Sequence, residues 1–237
     1  MHNYWKRVCL NTETNIKRLG VENFYKFPEI RDTMLVCDMS KSVYQLPYLM
    51  EKNYLDTELI LKDEVLGDNH PQKIQSLYHV YKFIENGGKI PKTGTIVEVG
   101  AGIGCMVDIF RKAGFTGTYY IIDLDTINKI QRYYLETNNC LDKVDFIGPK
   151  SNKVSLLIGT WSISEMPLED RRYAEYIAQQ YLLAYGDVFN DELDNTEYFN
   201  EFKDWRKDVN WVEVPVFETQ KYLFGYKKQE KKVKNDK

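Results

Sequence analysis

No apolar run in this chain of 237 residues approaches the length of roughly 20 that a membrane-spanning helix requires. Nor does a secretory leader pattern open it, so a chain without membrane spans, working in the cytoplasm, is expected. Cysteine is sparse: Cys9, Cys37, Cys105 and Cys140 have neither the density of a disulfide framework nor C-x-x-C spacing, which points to reduced, packed thiols. Histidine is scarcer, with only His2, His70 and His79. Basic charge is not in excess either. A formal net charge of -3 gives no global attraction to nucleic acid, so no nucleic-acid partner is expected. Internal repeats are missing, and the one biased segment, 227–237, reads as a solvated lysine-rich tail. Asp187, Asp191 and Asp194 are scattered carboxylates without ligand spacing, and no metal site is expected from them.

What the sequence does contain is one organising stretch. Thr95-Ile96-Val97-Glu98-Val99 is a β-branched run that ends in the closely spaced Gly100, Gly102 and Gly104, and a helical pattern follows from Cys105. It reads as strand, tight turn and helix. Glycine there permits positive φ and close approach of a ligand to the backbone as the helix begins. After a turn at Gly114, the run Thr118-Tyr119-Tyr120-Ile121-Ile122 ends in Asp123, roughly 20 residues beyond the glycines, where a ribose-binding acid is required. An N-cap role for Asp123 at the next helix is the alternative. The third glycine comes one place too early for the G-x-G-x-x-G dinucleotide fingerprint, and Glu98 precedes the first by two.

The pattern E-x-G-x-G-x-G resembles motif I of class I methyltransferases that use S-adenosylmethionine (SAM). The resemblance implies SAM as cofactor, with S-adenosylhomocysteine (SAH) as product. It also implies a cofactor site of Glu98, Gly100, Ala101, Gly102, Gly104, Asp123, Leu124 and Thr160. Further on, Trp161-Ser162-Ile163-Ser164-Glu165-Met166, with Ile121-Ile122-Asp123-Leu124-Asp125 and the later F-N-D-E-L and Y-F-N-E-F segments, resembles the sugar O-methyltransferase family over roughly 66–226. That narrower resemblance implies a sugar or glycan acceptor. At Thr160-Trp161 this chain departs from the asparagine-rich segment found in relatives.

The implied architecture is α/β: a Rossmann-like, seven-stranded class I methyltransferase sheet of strand order 3-2-1-4-5-7-6 with a helical N-terminal cap. Residues 1–90 form the cap and acceptor-binding region, 91–226 the SAM-binding core, and 227–237 the tail. Around Tyr4-Trp5 and Val8-Cys9 a short amphipathic helix is expected, and around Val43–Met50 an aromatic patch beside a proline break. A polar loop at Gly67–Pro71 precedes a helix that runs to Gly87-Gly88. In the core, helices are expected over 126–138, 168–180 and 196–207, and strands over 143–147, 154–159 and 181–189. A terminal hairpin pairs 211–217 with 221–226.

Methyl transfer to a hydroxyl needs alignment of the acceptor and a base for its proton, with no covalent enzyme intermediate. Glu165, at the end of the fourth strand, and His70, in the polar loop, are the candidate bases. Trp161, Ser162, Asn69 and Tyr44 are candidate acceptor contacts, the two aromatic rings as stacking platforms. Helix-capping roles for Ser164 and Glu165, and core packing for His79, Trp161 and Tyr44, are the structural alternatives. Methylation of another small molecule or of a macromolecule, and a non-catalytic SAM-binding role, also stay open.

Overall fold

The computed structural model describes residues 2–35, 39–189 and 193–228. Cys37, Asp191 and residues 229–237 of the tail lie outside them. The chain starts with α1 (Asn3–Leu19), a 3-10 turn (Val21–Lys26), α2 (Pro28–Arg31), α3 (Met39–Lys52), α4 (Thr57–Ile60) and α5 (Pro71–Glu85). Then come β1 (Thr95–Val99), α6 (Cys105–Lys112), β2 (Thr118–Ile122), α7 (Asp125–Thr137), β3 (Val144–Asp145), β4 (Lys153–Thr160) and β5 (Ile177–Gly186). A two-stranded ribbon, β6 (Val188–Phe189) with β7 (Leu193–Asp194), precedes α8 (Thr196–Trp205), β8 (Val209–Phe217) and β9 (Gln220–Lys227).

Seven strands form one sheet in the order β3-β2-β1-β4-β5-β9-β8. The pairs from β3 to β5 are parallel, while β9 runs antiparallel to both β5 and β8. With the ribbon set aside, the order is 3-2-1-4-5-7-6, that of the class I methyltransferase fold. The two-residue turn between β8 and β9 admits only antiparallel pairing, and the ladder from Gln180↔Tyr226 to Gly186↔Gln220 seats β9 beside β5, as the resemblance implied.

Alternation along the strands divides the core between the two faces of the sheet. Ile96, Tyr119, Leu156 and Phe224 pack toward α5, α6 and the N-terminal helices, whereas Val97, Leu157, Tyr181 and Leu223 pack toward Phe199 and Phe202 of α8. Phe24, Phe27, Ile30, Leu49 and Tyr81 belong to the first of these clusters, so the N-terminal ninety or so residues share their core with the sheet. A buried polar clamp reinforces that union. Lys73 of α5, wholly inaccessible, donates to Asp63 (2.9 Å) and to Asp108 of α6, and Tyr134 of α7 donates to Asp63. Burial works against the Lys73 charge, but the pull of its neighbours, Asp108 and Asp63 among them, leaves it above the ordinary lysine value.

Four local expectations are corrected. The helix expected over 168–180 is a 3-10 segment, Leu168–Ala174, followed by β5 from Ile177. Ala178-Gln179-Gln180 favours helix by propensity, but a ladder to β4 from Lys153↔Ile177 to Thr160↔Ala184 overrides it. The third strand is reduced to Val144–Asp145, paired with Tyr119 and Tyr120, after which Asp145 accepts from Ile147 N–H at 2.8 Å in a local turn. Pro47 does not break the N-terminal patch; it lies inside α3. The first helix is long, 17 residues, capped by the His2 imidazole at Tyr4 N–H and stopped at Gly20.

Candidate active site

The carboxyl ends of β1, β2 and β4 open into a cavity of about 640 Å³, roofed by the start of α1 and walled by α5. Its floor is the glycine loop. At Gly100 (φ +67°) an added Cβ would fall 2.2 Å from the Ser162 Cβ, so only glycine lets β1 turn against the end of β4. Ser162 fixes that contact by donating its hydroxyl to the Val99 carbonyl. At Gly102 (φ +55°) an added Cβ meets no atom within 4 Å, and the loop is open to the cavity there. Gly104, at φ +101°, is the residue before α6 and faces Leu135 rather than the cavity.

Three carboxyl groups stand around this floor, each raised by the loss of water. Glu98 is buried beside the loop; desolvation pushes it up to about 8, although Tyr119 donates to it at 2.7 Å. Asp123, at the end of β2, is pushed by desolvation to about 6. It accepts from Leu124 N–H (2.8 Å) and from the Gln131 amide (2.7 Å), and Gln131 also donates to the Gly102 carbonyl. Gln131, fully buried on α7, thus ties the acid to the glycine loop. Asp123 does not cap α7, whose N-terminus has no side-chain cap. Glu165, in the 3-10 turn after β4, is pushed by desolvation to about 7 and is hydrogen-bonded by Trp5 from α1.

Trp161 completes the turn in a positive-φ conformation (φ +71°, ψ -35°) that bulky residues rarely adopt. Its N–H is held by the Ala184 carbonyl at 2.7 Å. The ring lies 6.4 Å from that of His79, which lines the cavity from α5 with Nδ1 2.5 Å from the Tyr222 hydroxyl.

The structure therefore brings Glu98, Gly100, Ala101, Gly102, Asp123, Leu124, Thr160, Trp161, Ser162 and Glu165 to one cavity. It does not bring His70, Asn69 or Tyr44 there. His70 caps α5, its Nδ1 accepting from Gln72 N–H at 3.2 Å, and burial lowers the imidazole below the ordinary histidine value. Asn69 is an exposed turn residue at φ +57°, and Tyr44 is 52% exposed on α3. His79 reaches the cavity from α5, and His2 does so beside α1, along with Trp5, Gln72, Gln75 and Ser76. The signal for the α5 set was available: positions 72, 75, 76 and 79 share one helical face. Nothing local marked Trp5 or Gln131, which arrive from distant helices.

The donor set fits a nucleoside-bearing cation. An open glycine, a carboxylate at the end of β2 and a buried acid with a single described partner surround space enough for one. No family model matches the sequence, and no curated protein sequence does either. Among solved structures, a SAM-dependent methyltransferase from Aquifex aeolicus is similar at 14% identity and TM-score 0.46, covering 76% of this chain and 97% of that one. A ribosomal protein L11 methylase from Lactobacillus delbrueckii subsp. bulgaricus is similar at 11% identity and TM-score 0.46, covering 66% and 80%. The glycopeptide N-methyltransferase MtfA, complexed with SAH, gives 13% identity and TM-score 0.44 over 62% and 88%. The strand order, rather than these likenesses, defines the class.

Proposed function

We propose that the protein is a SAM-dependent O-methyltransferase acting on a hydroxyl of a small polar acceptor, with a sugar as the leading class. The observation that carries the reading is the sharing of one cavity by the open glycine loop, Asp123 and Glu165. Glu98 and Gly100–Gly102 would hold the amino-acid part of the cofactor and Asp123 its ribose. When bound, SAM supplies a methyl group on a cationic sulfur, already activated for transfer. The chain has to align the acceptor oxygen and take its proton.

Glu165 is suited to that task. Its value of about 7 makes it a far stronger base than an exposed carboxylate, and Trp5 holds it in place from the roof. His79, held by Tyr222 beside Trp161, is the second group that could meet the acceptor hydroxyl. His70 is better read as a helix cap. Residues 1–90 serve as the cap that closes the site, since α1 and α5 supply its roof and one wall.

Calorimetric titration with SAH and NAD, followed by incubation with labelled SAM and a panel of sugars, tests the reading. SAH binding without NAD binding, and label in a sugar product, are expected; tight NAD binding would sink it.

A further inference from the structure

Helix α5 has two unlike faces. Ile74, Leu77, Val80 and Tyr81 are buried in the core, as an amphipathic helix requires. The face carrying Gln72, Gln75, Ser76 and His79 is also turned inward, but onto the cavity. Two of these four are engaged within the protein: Ser76 donates to the Gln72 carbonyl at 2.9 Å, and His79 pairs with Tyr222. The half-buried side-chain amides of Gln72 and Gln75 make no hydrogen bond to any described residue. A stripe with two such amides turned to the cavity offers a ligand two donors and two acceptors that the protein itself does not use.

The charge around the stripe narrows that ligand. Glu98, Asp123, Glu165 and Asp170 line the cavity, and neither lysine nor arginine does among the described residues. Phosphate and pyrophosphate groups are held in proteins by such cations or by helix N-termini; the α5 N-terminus beside the stripe is already capped by His70, and ionised carboxylates such as Asp123 repel them. Amides, by contrast, each offer a donor and an acceptor to neighbouring hydroxyls. The cavity of about 640 Å³ must also hold the cofactor, which leaves space for a molecule of monosaccharide size.

We propose that the Gln72–Gln75–Ser76–His79 stripe is the acceptor-recognition surface, and that it takes an uncharged polyhydroxylated compound while rejecting nucleotide-sugars and sugar phosphates. This rests on the methyl-transfer reading above, which gives the glycine-loop half of the cavity to the cofactor. The test is titration of the SAH-loaded protein, followed by calorimetry and ligand-detected NMR, with methyl glucoside, xylose and rhamnose, with glucose 6-phosphate and UDP-glucose, and with ethanolamine. At least one neutral sugar is expected to bind, and the phosphorylated compounds and the amine are not. Gln75→Leu, like Gln72→Leu, should weaken that sugar by about five- to tenfold through one lost hydrogen bond, with SAH affinity unchanged. Gln75→Arg should admit glucose 6-phosphate. Absence of binding by every neutral sugar, equal or tighter binding of the phosphorylated compounds or the amine, or unchanged sugar affinity in both Leu variants would overturn the proposal. Failure of SAH itself to bind would overturn the methyl-transfer reading and this inference with it.

Discussion

At the scale of single residues, the cavity's chemistry is set by carboxyl groups deprived of water. Asp123 is oriented by Gln131 and Leu124 so that it stays fixed beside the glycine loop. Asp123→Ala should weaken SAH binding by at least about tenfold, the loss of one or more charge-assisted hydrogen bonds, as calorimetry would read. Gln131→Leu should weaken it in the same direction without touching the ligand. If Glu165 is the base proposed above, it must be ionised to accept a proton, so kcat/KM should rise with pH through about 7, the value to which desolvation lifts it. Glu165→Gln should lower kcat by about 10² to 10⁴-fold and flatten that rise, with SAH affinity nearly intact. Glu98 makes a stability prediction of definite sign. Burial raises it from 4.5 to about 8, so the folded state holds a proton that the unfolded state has lost over that interval. Its contribution is present in full below the unfolded value and is lost as pH rises toward 8, at up to about 1.4 kcal/mol per pH unit. Urea denaturation between pH 5 and pH 8 should show Glu98→Gln less sensitive to pH than the parent protein.

At the scale of elements, α5 joins the N-terminal region to the sheet in two ways. Lys73 enters the buried clamp with Asp63 and Asp108, while the next turns of the same helix present the polar stripe to the cavity. Lys73→Ala would leave buried Asp63 without its cation, while Asp108 keeps Lys112 at 2.9 Å, and a loss of about 3 to 5 kcal/mol in denaturant-measured stability is expected. The turn after β4 is the other decisive element. Trp161 adopts its positive-φ backbone where β4 leaves β1 after Ile158 but stays paired with β5 to Thr160, and Ala184 anchors the Trp161 N–H. Glu165, four residues on, is thereby aimed at the α1 roof. Capping was a reasonable reading of Ser164 and Glu165, since a short 3-10 turn does begin here, but Glu165 faces Trp5 across the cavity.

At the scale of the whole molecule, the N-terminal region and the sheet form one core. The cover of that sheet is built from the N-terminal helices, whose Phe24, Phe27, Ile30, Leu49 and Leu77 belong to its core. A chain starting near Pro91 would expose Ile96, Phe110 and Leu156 on the face that Phe27, Leu77 and Phe83 now bury. Such a chain should fail to unfold cooperatively and should lose methyl transfer. Normal folding and turnover would show the cap to be dispensable and the shared cavity wrong.

The sequence alone made the sheet legible and marked the glycine-loop end of the cavity, because both depend on short-range chemistry. Three glycines after a β-branched strand, an acid two residues before them and another at the end of the next strand are local patterns. The terminal hairpin likewise follows from a short turn, which fixes antiparallel pairing, while the strand order came from the resemblance to class I methyltransferases. Only the tertiary structure showed which side chains line the opposite wall of the cavity. Local propensity favoured a helix across Ala178–Gln180 and could not anticipate the ladder to β4 that makes it a strand. His70 looked available in a polar loop, but its own helix uses it as a cap. His79 looked like packing material on an amphipathic helix, yet α5 turns a polar stripe inward with it. Trp5 and Glu165 are separated by most of the chain, and burial of the two core faces alone brings them together.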